Sequence, residues 1–215
     1  MPTRRTSLAL AACVLSITAV SFGQKRLGPK NRDTILDASL DPGFASTPLS
    51  RIVFLPFVNE LDHPEGAMIM AETFIGGMRQ NHPNISILNP QSAVQMIQDH
   101  KLGDTYRAFM GNYANTGVAT MSFLTALPQS DKVDGVILGR ILRFGINNNT
   151  VVFGGFSWTK SKATVGMEIM LLRTKDGREL WRGIHGVQGT KNENVRDLAK
   201  IVGDVFGRYF GRVPY

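Results

Sequence analysis

The part of the chain that most constrains its fold is an alternating segment in the last third. Residues 162–173 read "KATVGMEIMLLR", and apolar residues recur at every second position from Ala163 to Leu171. Period-two alternation is typical of a strand that buries one face. The next residues, "KDGR", predict a tight turn, and "ELWRGIHGVQG" predicts the returning strand. The segment therefore predicts an antiparallel β-hairpin whose buried face carries Ala163, Val165, Met167, Ile169 and Leu171.

Two strand–helix units precede the hairpin. The continuous apolar run at residues 52–57 predicts a buried strand. A helix is expected over residues 62–78, opened by Asp62 and Glu65 as a capping box. Residues 85–90 predict a second strand, and Asn89 is placed to cap a second helix. The inward faces of these two helices are expected to carry Met68, Ala71, Ile75, Met78, Val94 and Ile97.

The remaining elements complete a mixed sheet. A segment rich in Gly, Asn and Tyr is expected to be a loop, followed by a helix around residues 118–127. Residues 134–144 are strongly apolar and predict a central strand. A closing helix, capped by Asn192 or Asn194, is expected to pack through Val195, Leu198, Val202, Val205 or Phe206, and Tyr209. The order β-α-β-α-α-β-β-β-α predicts a single-domain α/β sandwich of two or three layers, with helices packed on a mixed sheet.

The N-terminus has the pattern of an export signal over residues 1–23. "MPTRR" supplies a basic region and "LALAACVLSITAV" an apolar one, and Ser21 and Gly23 are the small residues expected before cleavage between Gly23 and Gln24. The apolar run is shorter than the ~20 residues that a membrane-spanning helix needs. Two alternatives stay open. "LAAC" matches a lipobox in which Cys13 would be acylated, and "TRRTSL" resembles a twin-arginine signal. All three interpretations of the N-terminus predict that the protein is exported.

Composition is consistent with an exported chain that depends on its core. Cys13 is the only cysteine in the 215 residues, so no intramolecular disulfide can form. Residues 24–50 contain several prolines and no sustained period, which predicts a flexible tether before a domain over residues 51–215. The net charge of +7 is scattered and argues against a nucleic-acid groove. It favours a solvated basic surface, with attraction to an anionic polysaccharide or lipid surface as the alternative.

The sequence contains no recognisable catalytic motif. It lacks a GxSxG elbow, a GxxxxGK[ST] loop and a cysteine nucleophile after the leader. The four histidines show no metal-binding spacing: His63, His82, His100 and His185. Acids at a helix start are expected as caps, so Asp62, His63 and Glu65 are interpreted structurally rather than as a general-base site. His185 is expected to satisfy a local hydrogen bond. We therefore predict no enzyme, no cofactor and no metal; an envelope hydrolase would require a pocket that joins Asp62, His63 and His185.

One segment predicts an interaction surface. "TVVFGGFSWT" is nearly symmetrical about Gly154–Gly155, which predicts a two-residue hairpin loop. That register pairs Phe153 with Phe156 and Val151 with Trp158 and places all four on one face. This face either packs on the domain's own helices or contacts a subunit or a membrane. Each arm has about four suitable residues, short of the ~9–11 that span a bilayer, which favours self-assembly or a shallow membrane contact.

Three short motifs, in this order, resemble those of bacterial envelope proteins that share the fold of CsgG, LpoB, PelC and the N-terminal domain of TolB. The motifs are Leu55-Pro56-Phe57 with nearby Asn59, the strand from Asp134 to Ile141, and a turn and strand through Asp176, Gly177 and Trp181. Many members are lipid-anchored, so the ambiguous lipobox is a departure. The resemblance covers residues 51–212 and implies that the Leu-Pro-Phe strand end is structural rather than catalytic.

The resemblance implies a non-catalytic structural component, periplasmic or associated with the outer membrane. It would form a ring or scaffold in an envelope export or assembly machine, with copies of itself and other envelope proteins as partners. The alternative is a tethered periplasmic regulator that binds a cell-wall synthase or another envelope enzyme. A stable oligomer favours the first function and a monomer favours the second. Both place the chain in the periplasm, or on the periplasmic face of the outer membrane, of a Gram-negative-type bacterium.

Overall fold

The computed structural model describes residues 32–33, 35–58, 62–127, 131–153, 156–190 and 193–210, with the backbone alone for 147–153 and 156–160. In these residues one mixed sheet has the strand order β1-β6-β5-β4-β2-β3. The central strands β4 and β5 are antiparallel, while β2 pairs in parallel with both β3 and β4. The strands are β1 (Asp37–Leu40), β2 (Arg51–Phe54), β3 (Ser86–Leu88), β4 (Gly135–Phe153), β5 (Phe156–Arg173) and β6 (Glu179–Gln188).

Helices cover both faces of the sheet, so the fold is a three-layer α/β sandwich. The helices are α1 (Pro64–Asn81), α2 (Pro90–Asp99), α3 (Gly103–Thr116), α4 (Met121–Ala126) and α5 (Val195–Phe210). A first core lies between the sheet and α1 with α5. A second core lies between the opposite face and α2, α3 and α4. The predicted fold class is confirmed.

The predicted hairpin is β5 and β6. All five residues expected on its buried face lie in the first core. The turn contains Gly177 with φ +68°, a left-handed conformation that glycine adopts at little cost. Arg173 pairs with Asp176 inside the same turn. The alternating apolar pattern and the turn sequence thus specify the same pairing of β5 with β6.

Residues 103–116, expected to be a loop, form helix α3. The helix buries Phe109 and Tyr113, which are four residues apart and so lie on one face. It ends at Gly117, whose φ of 70° matches a left-handed C-cap. Burial of two aromatic rings in the second core outweighs the low helix propensity of Gly103, Gly111 and the asparagines.

The predictions for α1 are partly wrong, whereas the predicted cap of α2 is confirmed. The N-cap of α1 is His63, with Pro64 in the first turn and no side-chain cap, so Asp62 and Glu65 do not form a capping box. Glu65 pairs instead with Arg196 of α5. Met68 and Val94, expected inside, are 47% and 37% exposed. Asn89 caps α2 as predicted, accepting a 2.8 Å hydrogen bond from the backbone N–H of Ser92.

The segment expected to be a tether contributes to the fold from residue 35 onward. Asp37–Leu40 is an edge strand paired with β6. Phe44 is 1% exposed and packs edge-on against Phe210, with ring centroids 6.1 Å apart. Asp41 pairs with Arg178 and Arg32 with Glu193. The packed domain therefore begins before Arg51, because an edge strand and one buried aromatic ring hold this segment.

Candidate functional site

The candidate site is a two-stranded ribbon formed by the far ends of β4 and β5. Strand β6 accompanies β5 only as far as Thr164, where it pairs with Gln188. Beyond that point seven residue pairs, from Asn147–Lys162 to Phe153–Phe156, join β4 to β5. Among the described residues, neither strand pairs with a third strand there. At ~3.3 Å per residue the ribbon extends ~23 Å beyond the sheet.

The ribbon has the predicted register. Val151 lies opposite Trp158, and Phe153 lies opposite Phe156. The turn at Gly154–Gly155 and the four side chains lie outside the described residues, so their role as an interaction surface stays a prediction. Residues 146–149 and 160–162, which flank the nearly symmetrical segment, also form part of the strands. The arms are accordingly longer than the sequence suggested.

The base of the ribbon is held by α1. The Phe144 ring packs against the His63 ring with centroids 5.0 Å apart. It occupies the space beside Gly66, where a Cβ atom would lie 2.1 Å from a Phe144 ring carbon. The ribbon therefore leaves the sheet from a fixed base, while Ile146 just beyond it is 63% exposed.

The residues of the hydrolase alternative have different environments. Asp62 is exposed, and His63 is engaged with Phe144 at the start of α1. His185 is 1% exposed and faces Phe206 in the first core, with ring centroids 6.1 Å apart. His185 therefore lies inside the core, where a substrate would have no access to it.

His185 is nevertheless an unusual core residue. Neither ring nitrogen meets full hydrogen-bond geometry with a described residue, and the backbone group that acts on the ring belongs to Arg32, distant in sequence, rather than to a local neighbour. Burial lowers the pKa of His185 to about 4, although the Arg32 backbone and the Asp33 carboxylate act in the opposite direction. Its imidazole is neutral at pH 7, because a charged ring would lose its hydration.

A charged cluster marks the edge of the second helical layer. Arg182 donates to Glu168, a carboxylate that is 8% exposed, at 3.0 Å and to Glu179 at 2.7 Å. The hydroxyl group of Tyr113 has no partner among the described residues. Burial, followed by the nearby Glu168 charge, raises the pKa of Tyr113 to about 12. The three charged groups are paired with one another and have the character of a structural network, beside the unpartnered Tyr113 hydroxyl.

Two surface clefts lie among the described residues. A cleft of about 610 Å³ is lined by residues 45–50 and 81–85. A smaller one of about 280 Å³ includes Arg51, Asp99, His100 and Asp131, where His100 pairs with Asp131 at 2.9 Å. Among the described residues, no group of three or more His, Cys, Asp or Glu side chains could hold a metal ion. In the same part of the chain, no helix is both long and apolar enough to cross a membrane.

The leader residues Cys13, Gly23 and Gln24 lie outside the described residues, and so does Asn59 of the Leu-Pro-Phe motif. Leu55 and Phe57 are buried in the second and the first core, respectively. Pro56 lies between Leu55 and Val58, whose N–H groups donate to Ile137 and Gly139 at 3.0 and 2.8 Å. The motif thus anchors the strand end to both cores.

Comparison with known proteins identifies similar structures only. No family model matches the chain, and no curated protein matches it. A PelC dodecamer from Paraburkholderia phytofirmans is 11% identical, with a TM-score of 0.45, covering 80% of this chain and 94% of that one. Lipoprotein GNA1162 from Neisseria meningitidis is 15% identical, with a TM-score of 0.46, covering 76% of this chain and 99% of that one. A minor lipoprotein from Acinetobacter baumannii is 10% identical, with a TM-score of 0.29, covering 76% of this chain and 90% of that one. All three TM-scores lie below 0.5, so these similarities carry no functional argument.

Proposed function

We propose that this protein is a non-catalytic structural component of a bacterial envelope export or assembly machine, forming a ring or scaffold. The observation that carries the proposal is the ribbon, whose seven terminal residue pairs extend beyond every other strand of the sheet. A ribbon with open edges is stabilised when another surface covers it, because an isolated two-stranded sheet is marginal in water.

The predicted export signal and the resemblance to CsgG-like envelope proteins support an envelope location for the proposal. The ribbon supplies a contact surface for copies of the chain or for other envelope proteins. Its predicted aromatic face, made of Val151, Phe153, Phe156 and Trp158, is the type of surface that marks an interaction site. The burial of His185 favours a non-catalytic function over the hydrolase alternative.

The test compares two double variants of the ribbon. Phe153→Ser with Trp158→Ser removes the aromatic face, and Val152→Ser with Thr159→Ser alters the opposite face as a matched control. We expect the first variant to dissociate in size-exclusion chromatography while its circular dichroism stays that of the wild type. The control should keep the wild-type elution volume. Unfolding of the first variant would show that the ribbon belongs to the domain's own core, and unchanged assembly would contradict the proposal.

A further inference from the structure

The register places charge on the same ribbon face as the predicted aromatic surface. Lys160 pairs with Asn149 and Lys162 with Asn147. Because alternate positions of a strand share a face, both lysines share the face of Trp158 and Phe156. The opposite face carries only uncharged residues over these pairs: Asn148, Thr150, Val152, Ser157, Thr159 and Ser161.

The charge of this part of the chain has one sign. Between Gly135 and Met167 the sequence contains Arg140, Arg143, Lys160 and Lys162 and no acidic residue. Lys162 and Arg143 are exposed, whereas Arg140 is engaged by the backbone of Tyr113. The described acid nearest in sequence to the ribbon is Glu168, farther along β5, which is bound by Arg182. The ribbon therefore presents unbalanced positive charge beside aromatic positions.

We propose that this ribbon face, formed by Val151, Phe153, Phe156, Trp158, Lys160 and Lys162, docks on a bilayer surface that carries anionic phospholipids. Aromatic rings favour the boundary between headgroups and acyl chains, and lysine ammonium groups bind headgroup phosphates. The inference rests on the proposed envelope location and takes the bilayer, rather than a second copy of the chain, as the occupant of this face; the vesicle experiment decides between the two. The opposite face carries neither charge nor aromatic residues.

The spacing of the charges predicts which of them take part. Lys160 and Lys162 lie ~13 and ~20 Å along the strand from Phe156, at ~3.3 Å per residue. Arg143 lies ~13 Å along the strand from Asn147, the residue opposite Lys162, next to the base of the ribbon. Charges interact strongly only within a Debye length of ~10 Å at moderate salt. A surface that contacts the ribbon from its tip to Lys162 ends slightly more than one Debye length from Arg143 and therefore attracts Arg143 less than it attracts either lysine, which makes Arg143 an internal control.

The test is co-sedimentation of the purified protein with vesicles of phosphatidylcholine alone or mixed with phosphatidylglycerol. We expect binding to the mixed vesicles that weakens as salt is added. Lys160→Gln with Lys162→Gln should lower the affinity about thirtyfold, because each basic residue near an anionic surface contributes about a factor of five. Arg143→Gln should change it by less than about twofold, since the charge lies beyond the screening length. An acyl anchor would bind both kinds of vesicle equally.

Three results would each overturn the inference. The wild type could bind neutral and anionic vesicles equally, or it could bind neither. The third result is a loss of affinity for Arg143→Gln equal to that for Lys160→Gln with Lys162→Gln. Light scattering without vesicles separates this result from the proposed function. An oligomer that ignores vesicles overturns the lipid partner alone, with a second copy as the ribbon's occupant. A monomer that ignores vesicles overturns both proposals.

Discussion

The Arg140 guanidinium donates a 2.7 Å hydrogen bond from Nη2 to the backbone carbonyl of Tyr113 and lies 5.0 Å from the centroid of the Tyr113 ring. A residue of the central strand β4 thereby caps the C-terminus of α3, where the helix dipole is negative. One side chain links the sheet to a helix of low intrinsic propensity. Because Arg140 makes these two contacts, it does not add to the exposed positive charge of the ribbon.

Arg140→Met should lower the free energy of unfolding by about 1–2 kcal/mol, through loss of the charged hydrogen bond and the cation–π contact. Urea unfolding followed by circular dichroism measures the change. Arg143→Met is the matched control, since Arg143 is exposed. Equal effects of the two substitutions would show that the Tyr113 contact contributes nothing.

Helices α1 and α5 cross at glycines. A Cβ atom on Gly207 would lie 2.9 Å from Cα of Gly77. Gly207→Ala should therefore destabilise the protein by about 1–3 kcal/mol, because the two backbones must separate. Gly76→Ala meets no atom within 4 Å and should stabilise it by about 0.5–1 kcal/mol. Opposite signs in thermal unfolding would support the crossing, and equal signs would contradict it.

His185 should make stability depend on pH. Its pKa falls from the ordinary 6.5 to about 4 in the folded chain, so the unfolded chain takes up the proton first as pH falls. The stability from the neutral buried ring is complete above pH ~6.5, declines as pH falls toward ~4, and amounts to about 3 kcal/mol. His185→Leu should flatten the loss over this window. A variant with the wild-type slope would assign the loss to other groups.

Phe44→Ala tests where the domain begins. The ring is 1% exposed, so its removal should cost about 3–5 kcal/mol. Leu40→Ala, at a position 45% exposed on the neighbouring edge strand, should have little effect. If Phe44→Ala leaves the urea midpoint unchanged, residues 35–50 act as the tether expected from their prolines.

Sequence patterns predicted the sheet more accurately than its surroundings. The positions Ala163 to Leu171 alternate without interruption, and a one-residue shift would turn each of them to the other face, so the register is strongly specified. The pairing of Val151 with Trp158 follows in the same way from near symmetry about a glycine pair. Both predictions depend on neighbours in sequence.

The failures involve residues whose structure depends on distant contacts. Helix α3 has a weak apolar pattern because only Phe109 and Tyr113 are buried, and Arg140, which caps it, is 27 positions from Tyr113. The edge strand β1 forms because β6 offers a free edge, a fact that residues 37–40 alone do not contain. At the candidate site the prediction from sequence omitted Lys160 and Lys162, although both follow Trp158 at alternate positions and so share its face of the strand.

The central claim is that the exported protein assembles into a structural component, and its mass in solution tests this most directly. Light scattering of the protein purified after export, with and without mild detergent, should show one discrete oligomer whose mass is a whole multiple of the chain. A monomer in both conditions would contradict the claim and favour a tethered regulator of an envelope enzyme.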